Sequence, residues 1–105
     1  MPSSAANAFK HMSWAALLGI RFDYKTAKGF LDRHEDYPGA QDDPARVMDT
    51  WNNMVGLDIG VDLWRQGYRD AFHPAAWDAV KWSVRYAIGN NWHDQLVPGP
   101  GTRPK

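Results

Sequence analysis

Two histidines, an aspartate and an asparagine stand at positions from which they could form a catalytic site. They are His11, His34, Asp49 and Asn53. A histidine acts as a general base when a neighbouring carboxylate orients it and stabilises its charged form. Asn53 could then donate a hydrogen bond to a substrate oxygen or to a developing oxyanion. We expect water as the nucleophile, because the chain has no cysteine and no serine in a recognisable catalytic motif. The chemistry predicted is hydrolysis.

The same positions offer ligands for a divalent metal ion such as zinc. The candidates are His11, His34, Glu35 and Asp49. Imidazole and carboxylate groups are ordinary ligands of such ions. The spacing matches no HExxH-type motif, so the sequence leaves a metal cofactor open. For contact with substrate we expect Asn52, Glu35 and Trp14.

The segment MDTWNNMVGLDIG, residues 48–60, predicts that this polar site lies inside a helix bundle. A helix rotates about 100° per residue, so the charged side chains locate its solvent face. Asp58 and Asp62 mark that face, which places Asp49 and Asn53 on the opposite, inward side. A buried carboxylate without a partner is costly, so Asp49 should have one.

The same reasoning turns polar groups of two other helices inward. His34 falls on the side of Ala27 and Leu31, opposite the charges of its helix, and Glu35 lies on the flank. His11 lies at the edge of the buried half of the first helix. The alternative to a catalytic site is a structural hydrogen-bond network that specifies how the helices pack.

Capping and turn signals divide the chain into four helices. We predict them at about residues 4–22, 24–36, 44–66 and 74–88, with caps at Ser3 or Ser4, Asp23, Asp43 and Gly89. Pro-Gly in residues 37–43 predicts a turn. No run alternates long enough to form a strand. The fold class predicted is an all-α compact bundle of about four helices with short loops.

The chain is long enough for one domain, which we place at residues 1–96. Residues 97–105, VPGPGTRPK, predict a flexible tail. Gly56 and Gly60 weaken helix propensity, and we expect them to allow close approach of helix axes instead. His73 and His93 are expected to be capping or surface residues.

The charge balance and composition limit the classes of partner that we expect for this chain. Lys plus Arg equals Asp plus Glu at 12 each, so we do not expect nucleic acid as a partner. We see no signal peptide and no apolar run of about 20 residues, so a soluble chain is expected. Of the six tryptophans, Trp14 and Trp51 are predicted to be partly exposed, which suits a lipid headgroup surface or a protein-docking face. The remaining four are predicted to complete the core: Trp64, Trp77, Trp82 and Trp92.

Three segments together resemble a family of small, uncharacterised bacterial α-helical domains. The segments are NAFKHMSWAALL, AKGFLDRHED and MDTWNNMVGLDIG. The family pattern reads roughly D-A-F-R-H-x-x-W, then His-Glu near the end of the second helix, then M-D-x-x-N-N-x-x-G. The resemblance covers about residues 5–60 and matches His11, Trp14, His34, Glu35, Asp49, Asn52, Asn53 and Gly56. Two positions depart from the pattern, where Asn7 replaces an aspartate and Lys10 an arginine. The first change removes a possible acidic metal ligand.

The resemblance implies an effector-like enzyme domain. Such domains are often found at the C-terminal ends of large secreted or polymorphic-toxin-like proteins, and some have been compared with the helical core of Wnt proteins and suggested to act on lipids. We therefore expect a toxin-like hydrolase of a phospholipid or another ester or phosphodiester, secreted by a specialised system as part of a larger protein. Its expected partners are membrane-surface lipid and a cognate immunity protein. The alternative is a non-catalytic helical interaction module, such as an adaptor or immunity-type protein.

Overall fold

All regular structure in the described part of the chain is α-helical. The computed structural model describes residues 5–35, 38–39 and 43–90. The helices are α1 (Ala5–Arg21), α2 (Tyr24–His34), α3 (Pro44–Arg65) and α4 (Pro74–Gly89). No strand occurs within these residues, so the all-α prediction is confirmed. None of these helices has the length and apolar character needed to cross a bilayer.

The helix boundaries follow local capping chemistry. The Asp23 side chain accepts a hydrogen bond from the Thr26 backbone N–H at 3.3 Å, which starts α2. His73 caps α4 as expected, since its Nδ1 accepts from the Ala75 N–H at 3.0 Å. The C-cap of α4 is Asn90 instead of the predicted Gly89, which is the last helical residue. A one-residue shift of this kind is common at fraying helix ends.

Several predictions fall on positions outside the described residues. They concern the Ser3 or Ser4 cap, the end of α2 at Asp36, Trp92, His93, the tail at 97–105 and most of the 37–43 turn. Within that turn, Pro38 and Gly39 are described, and Gly39 has φ +81°, a conformation that favours glycine.

Helices α1 and α3 run parallel and pack at very close range. A Cβ atom placed on Gly56 would lie 2.3 Å from the carbonyl oxygen of Met12, and one on Gly60 would lie 2.3 Å from that of Ala16. These contacts repeat one helical turn apart, in the same direction on both helices. The predicted packing role of both glycines is confirmed, because a larger residue would force the helices apart.

Among the described residues, two clusters of apolar side chains hold the bundle together. The larger joins α1, α3 and α4 around Trp51, Met12 and Val80. The smaller joins α2 to α1 and α3, and its members are Ala15, Ala27, Leu31 and Leu57. The short helix α2 thus lies against the α1–α3 pair with its last turn near the N-terminal halves of both.

The tryptophans are arranged differently from the prediction. Trp14 is 38% exposed, as expected, but Trp51 is only 2% exposed, so its predicted exposure is wrong. The prediction of core positions is also wrong for Trp64, Trp77 and Trp82, which are all exposed. The inner face of α4 is filled by small or β-branched residues, and this close packing leaves its two tryptophans on the outside.

Candidate functional site

Two polar pairs connect the parallel helices α1 and α3. Asn7 and His11 lie one turn apart on α1, opposite Asp49 and Asn53, which lie one turn apart on α3. Asn7 Nδ2 donates to Asp49 Oδ1 at 3.2 Å. His11 Nδ1 lies 3.3 Å from Asn53 Oδ1, and His11 Nε2 lies 3.4 Å from Asp49 Oδ1. The partner expected for Asp49 is therefore present, and both ring nitrogens of His11 face α3.

The end of α2 adds a second carboxylate to this group. Glu35 is the C-cap of α2, and its backbone oxygen accepts a hydrogen bond from Arg46 Nε at 3.1 Å. Arg46 therefore fastens the end of α2 to the first turns of α3. One ligand atom each from His11, Glu35 and Asp49 lies within 4.8 Å of the others. We call these three residues and Asn53 the polar cluster.

The polar cluster is largely shielded from solvent. His11 is 7% exposed, Glu35 5% and Asn53 4%, whereas the Asp49 side chain is 19% exposed. Asp49 therefore provides the most accessible edge of the cluster. The Asn53 Nδ2 atom is buried and has no hydrogen-bond partner among the described residues, although its Oδ1 faces the His11 ring. Such a buried donor is expected to bind water or a ligand group.

The surroundings of Glu35 favour its neutral form. Burial raises the pKa of the Glu35 carboxyl above its ordinary value of 4.5, and the nearby charge of Asp49 raises it further. His34 and Arg46 act in the opposite direction without reversing the shift. Among the described residues, no donor forms a hydrogen bond to this carboxylate. A buried carboxyl with a raised pKa can take part in proton transfer, and its ionised form can bind a cation.

His34 lies at the rim of the site instead of inside the bundle. Its side chain is exposed, so the predicted inward orientation is wrong. The buried positions of α2 repeat every four residues as Ala27, Leu31 and Glu35, and Glu35 takes the inward place that we assigned to its neighbour. His34 packs edge-on against Trp14 with ring centroids 5.0 Å apart. Its ring lies 6.5 Å from that of His11.

The predicted site residues thus separate into a buried group and a rim. His11, Glu35, Asp49 and Asn53 come together, and Trp14 and His34 flank them. His34 is not a member of the group that could hold a metal ion. Asn52 is completely buried, and its expected contact with substrate stays a prediction.

Sequence reasoning missed two residues that the structure adds. Asn7 was noted only as a departure from a motif, yet its amide contacts Asp49 directly. The i, i+4 spacing of Asn7 and His11 matches that of Asp49 and Asn53, and this shared spacing could have revealed it. Arg46 gave no such signal, because its role depends on where the end of α2 lies.

A small cavity reaches the polar cluster between α2 and α3. It has a volume of about 60 Å³, and its lining includes Glu35, Asn53, Thr50 and Leu57. That space is sufficient for a few water molecules. A larger pocket of about 380 Å³ lies around the α1–α2 turn and the end of α3, and none of the cluster residues lines it. Of the polar cluster, Glu35 and Asn53 line the small cavity, whereas His11 and Asp49 are not among its lining residues.

Comparison with known proteins identifies a family for this chain. The family model of a domain of unknown function, DUF6973, matches residues 2–66. The chain belongs to this family. The DUF6973 match spans α1, α2, α3 and every residue of the polar cluster, whereas α4 lies beyond it. No curated protein and no solved structure matches the chain. Evidence for an activity therefore has to come from the geometry of the site.

Proposed function

We propose that this DUF6973 domain is a hydrolase that cleaves an ester or phosphodiester bond, with phospholipid as the favoured substrate class. One observation carries the proposal. Asn53 faces Nδ1 of the buried His11 ring at 3.3 Å, while Nε2 faces Asp49 and the carboxylate of Glu35 lies close by. A fixed imidazole beside two carboxylates is an arrangement suited to activating water.

The proposed reaction uses one water molecule held at the polar cluster. Its oxygen forms a bond to the acyl carbon or to the phosphorus of the substrate, and its proton passes to the cluster. The ester C–O or P–O bond then breaks, and the leaving alcohol takes up a proton from the cluster. The products are an acid and an alcohol, and the cluster returns to its starting protonation state.

Each residue of the cluster has a separate part in this proposal. Asn53 holds the His11 ring in one orientation, as the asparagine does in catalytic Cys-His-Asn groups. Asp49 and His11 activate the water, and the carboxylate stabilises positive charge on the ring. Trp14 at the rim and the buried Asn52 remain proposed substrate contacts, and His34, which was predicted as catalytic, is now proposed as a further contact beside Trp14.

The lipid assignment is supported by the chemistry of the rim. Trp14 is 38% exposed and packs against the exposed His34 beside the buried cluster. An amphipathic aromatic side chain at this position suits the boundary between lipid headgroups and acyl chains.

We also propose a toxin-like setting, secretion as part of a larger protein and a cognate immunity protein. These proposals are supported by the resemblance of the three sequence motifs.

The proposal can be tested with three substrates that separate the bond types. The purified chain is incubated with p-nitrophenyl acetate, bis-p-nitrophenyl phosphate and phosphatidylglycerol vesicles. Each assay is run with EDTA and again with added Zn²⁺ or Mn²⁺. The variants are His11→Gln and Asp49→Asn, and His73→Asn serves as the control because residue 73 only caps α4. Circular dichroism confirms that each variant is folded.

We expect at least one substrate to be hydrolysed by the wild type and by the control. Loss of a group that activates water should lower the rate by about 10²–10⁴-fold in the two cluster variants. If the wild-type chain is toxic when it is expressed in bacteria, that toxicity should disappear when the His11→Gln or Asp49→Asn variant is expressed instead. Equal rates in the wild type and in folded cluster variants would refute the assignment.

A second candidate function is supported by the low exposure of the cluster. His11, Glu35 and Asn53 are each no more than 7% exposed, which also fits a structural network in an interaction module. In that case the wild type hydrolyses none of the three substrates. The cluster variants would lose thermal stability instead, because buried polar groups would be left without partners.

A further inference from the structure

One nitrogen and two carboxylate oxygens meet at a point between α1, α2 and α3. They come from His11, Glu35 and Asp49, and all lie within 4.8 Å of one another. Each residue is carried by a different helix or its cap, so the bundle brings the three together. The geometry points to a binding site for a divalent transition-metal ion, of the zinc and manganese type, held by these three side chains. The ion's catalytic use rests on the proposed function, but its binding does not.

The distance between His11 Nε2 and Asp49 Oδ1 suits two ligands of one ion. It is 3.4 Å, whereas a hydrogen bond between an imidazolium and a carboxylate is usually about 2.7–2.9 Å. Two ligand atoms bound tetrahedrally to zinc at about 2.0–2.1 Å lie about 3.4 Å apart. The distance between His11 Nε2 and Asp49 Oδ1 is therefore the distance expected between two ligand atoms bound to the same zinc ion.

The orientation of the His11 ring supports the same conclusion. The Asn53 oxygen faces Nδ1 at 3.3 Å, and an oxygen there can only accept, so Nδ1 carries the hydrogen. In the neutral ring the lone pair of Nε2 then points toward the Asp49 carboxylate. A cation between the two groups removes that repulsion. Metal-bound histidines are commonly held through the other ring nitrogen in this way.

Glu35 brings a second buried carboxylate to the site. It is 5% exposed, and no donor among the described residues forms a hydrogen bond to its carboxylate. Arg46 lies nearby, but its guanidinium donates to the Glu35 backbone oxygen. A buried carboxylate directed at a second carboxylate is expected to bind a cation or a proton. When Glu35 and Asp49 are both ionised, their two negative charges match the charge of one divalent ion.

The ligand set selects the class of ion. An imidazole nitrogen with two carboxylates suits zinc or manganese better than calcium or magnesium, which prefer oxygen ligands alone. Three protein ligands also leave a coordination position open for water. The small cavity beside Glu35 and Asn53 has room for that water.

The test is calorimetric titration of the chelator-treated chain with Zn²⁺, Mn²⁺, Ca²⁺ and Mg²⁺ separately. We expect one Zn²⁺ or Mn²⁺ per chain, bound at least about 100-fold more tightly than Ca²⁺ or Mg²⁺. His11→Gln, Glu35→Gln and Asp49→Asn should each weaken Zn²⁺ binding by about 100-fold or more. The controls are His73→Asn and Asp62→Asn, which remove an exposed histidine or acid elsewhere and should not change it.

A variant that binds Zn²⁺ more tightly provides a further test, because a gain of affinity cannot result from damage to the fold. The Asn7 amide lies 3.2 Å from Asp49 Oδ1, so Asn7→Asp adds a further carboxylate at the site. We expect it to tighten Zn²⁺ binding about tenfold, because more ligand charge raises affinity. Absence of one-to-one binding in the wild type would overturn the inference, as would affinity that is unchanged in folded ligand variants or preference for Ca²⁺.

The outcomes also separate this inference from the proposed function. Hydrolysis in EDTA without ion binding would leave the hydrolase proposal standing and overturn the metal site. Ion binding at His11, Glu35 and Asp49 without hydrolysis of any substrate would support the metal site and overturn the hydrolase proposal.

Discussion

His11 and Asn53 face each other across the α1–α3 interface with Nδ1 and Oδ1 3.3 Å apart, although 42 positions separate them in the chain. Both side chains are more than nine-tenths buried, so water cannot easily replace this contact. The relationship fixes which ring nitrogen of His11 carries hydrogen, and with it which nitrogen is free for chemistry.

The first prediction concerns the tautomer of His11. Nitrogen-15 NMR of the chelator-treated chain should show that the singly protonated His11 ring carries its hydrogen on Nδ1, because Asn53 Oδ1 accepts from that atom. In Asn53→Ala this preference should be lost. A ring with hydrogen on Nε2 in the wild type would contradict the orientation of the Asn53 amide.

The same Asn53→Ala substitution should lower stability. It removes a buried side chain and leaves Nδ1 of His11 without its partner, which typically costs about 1–3 kcal/mol. Urea unfolding followed by circular dichroism measures the loss. Met54→Ala is the matched control, since this neighbour is 41% exposed and its truncation should change stability by about 0.5 kcal/mol or less. Equal decreases in the free energy of unfolding of both variants would show that the His11–Asn53 contact does not contribute to stability.

A second prediction follows from the raised pKa of Glu35. The folded chain binds its proton more tightly than the unfolded chain does. Between 4.5 and the raised pKa, the native state therefore holds more protons, and stability falls as pH rises through that window. Burial is the main cause of the raised pKa, and the charged groups that modify it are Asp49 and Asp43, which raise it, and His34 and Arg46, which lower it.

Glu35→Gln isolates that effect. In EDTA, the free energy of unfolding of the variant should decline less than that of the wild type as pH rises above 4.5, and the variant should be the more stable at neutral pH. Unfolding curves over a series of pH values measure the difference. Asp62→Asn, an exposed acid in a weak pair with Arg65, should leave the pH dependence close to that of the wild type. Parallel curves for wild type and Glu35→Gln would rule out the raised pKa.

The helices could be predicted from sequence because their signals are local. Asp23, Pro44 and His73–Pro74 mark helix starts through capping chemistry and restricted φ angles, and all three boundaries are confirmed. The inward face of α3 was also predicted correctly, since Asp58 and Asp62 identify its wetter side. Periodicity along one helix contains this information without reference to other helices.

Predictions failed where the answer depends on neighbouring helices. His34 and Glu35 are adjacent, so a shift of one position decides which of them points inward, and that depends on how α2 lies against α3. The tryptophans failed for the same reason. Small residues on α4 allow close packing against α1, which leaves no room for Trp77 or Trp82 inside. Hydrophobicity alone cannot distinguish an outward tryptophan from a core residue.

The tryptophan arrangement itself makes a third prediction. Trp51 is 2% exposed in the main core, so Trp51→Ala should destabilise the chain by about 3–5 kcal/mol. Trp82 is 69% exposed, and Trp82→Ala should cost about 0.5 kcal/mol or less. Thermal and urea unfolding of both variants measure the contrast. A reversal of this order would mean that α4 packs through its other face.

The last prediction tests the close contact between α1 and α3. A Cβ on Gly56 would lie 2.3 Å from the Met12 carbonyl oxygen, which is backbone and cannot move aside without shifting α1. Gly56→Ala should therefore destabilise the chain by about 1–3 kcal/mol, despite the better helix propensity of alanine. The shift should also separate His11 from Asn53 and change the NMR signals of the His11 ring. The matched control is Gly89→Ala near the end of α4, where an added Cβ meets no atom of the described residues within 4 Å. Its stability should hold or rise by up to about 1 kcal/mol. If Gly56→Ala were as stable as the control, the helices would have to lie farther apart than the polar cluster requires.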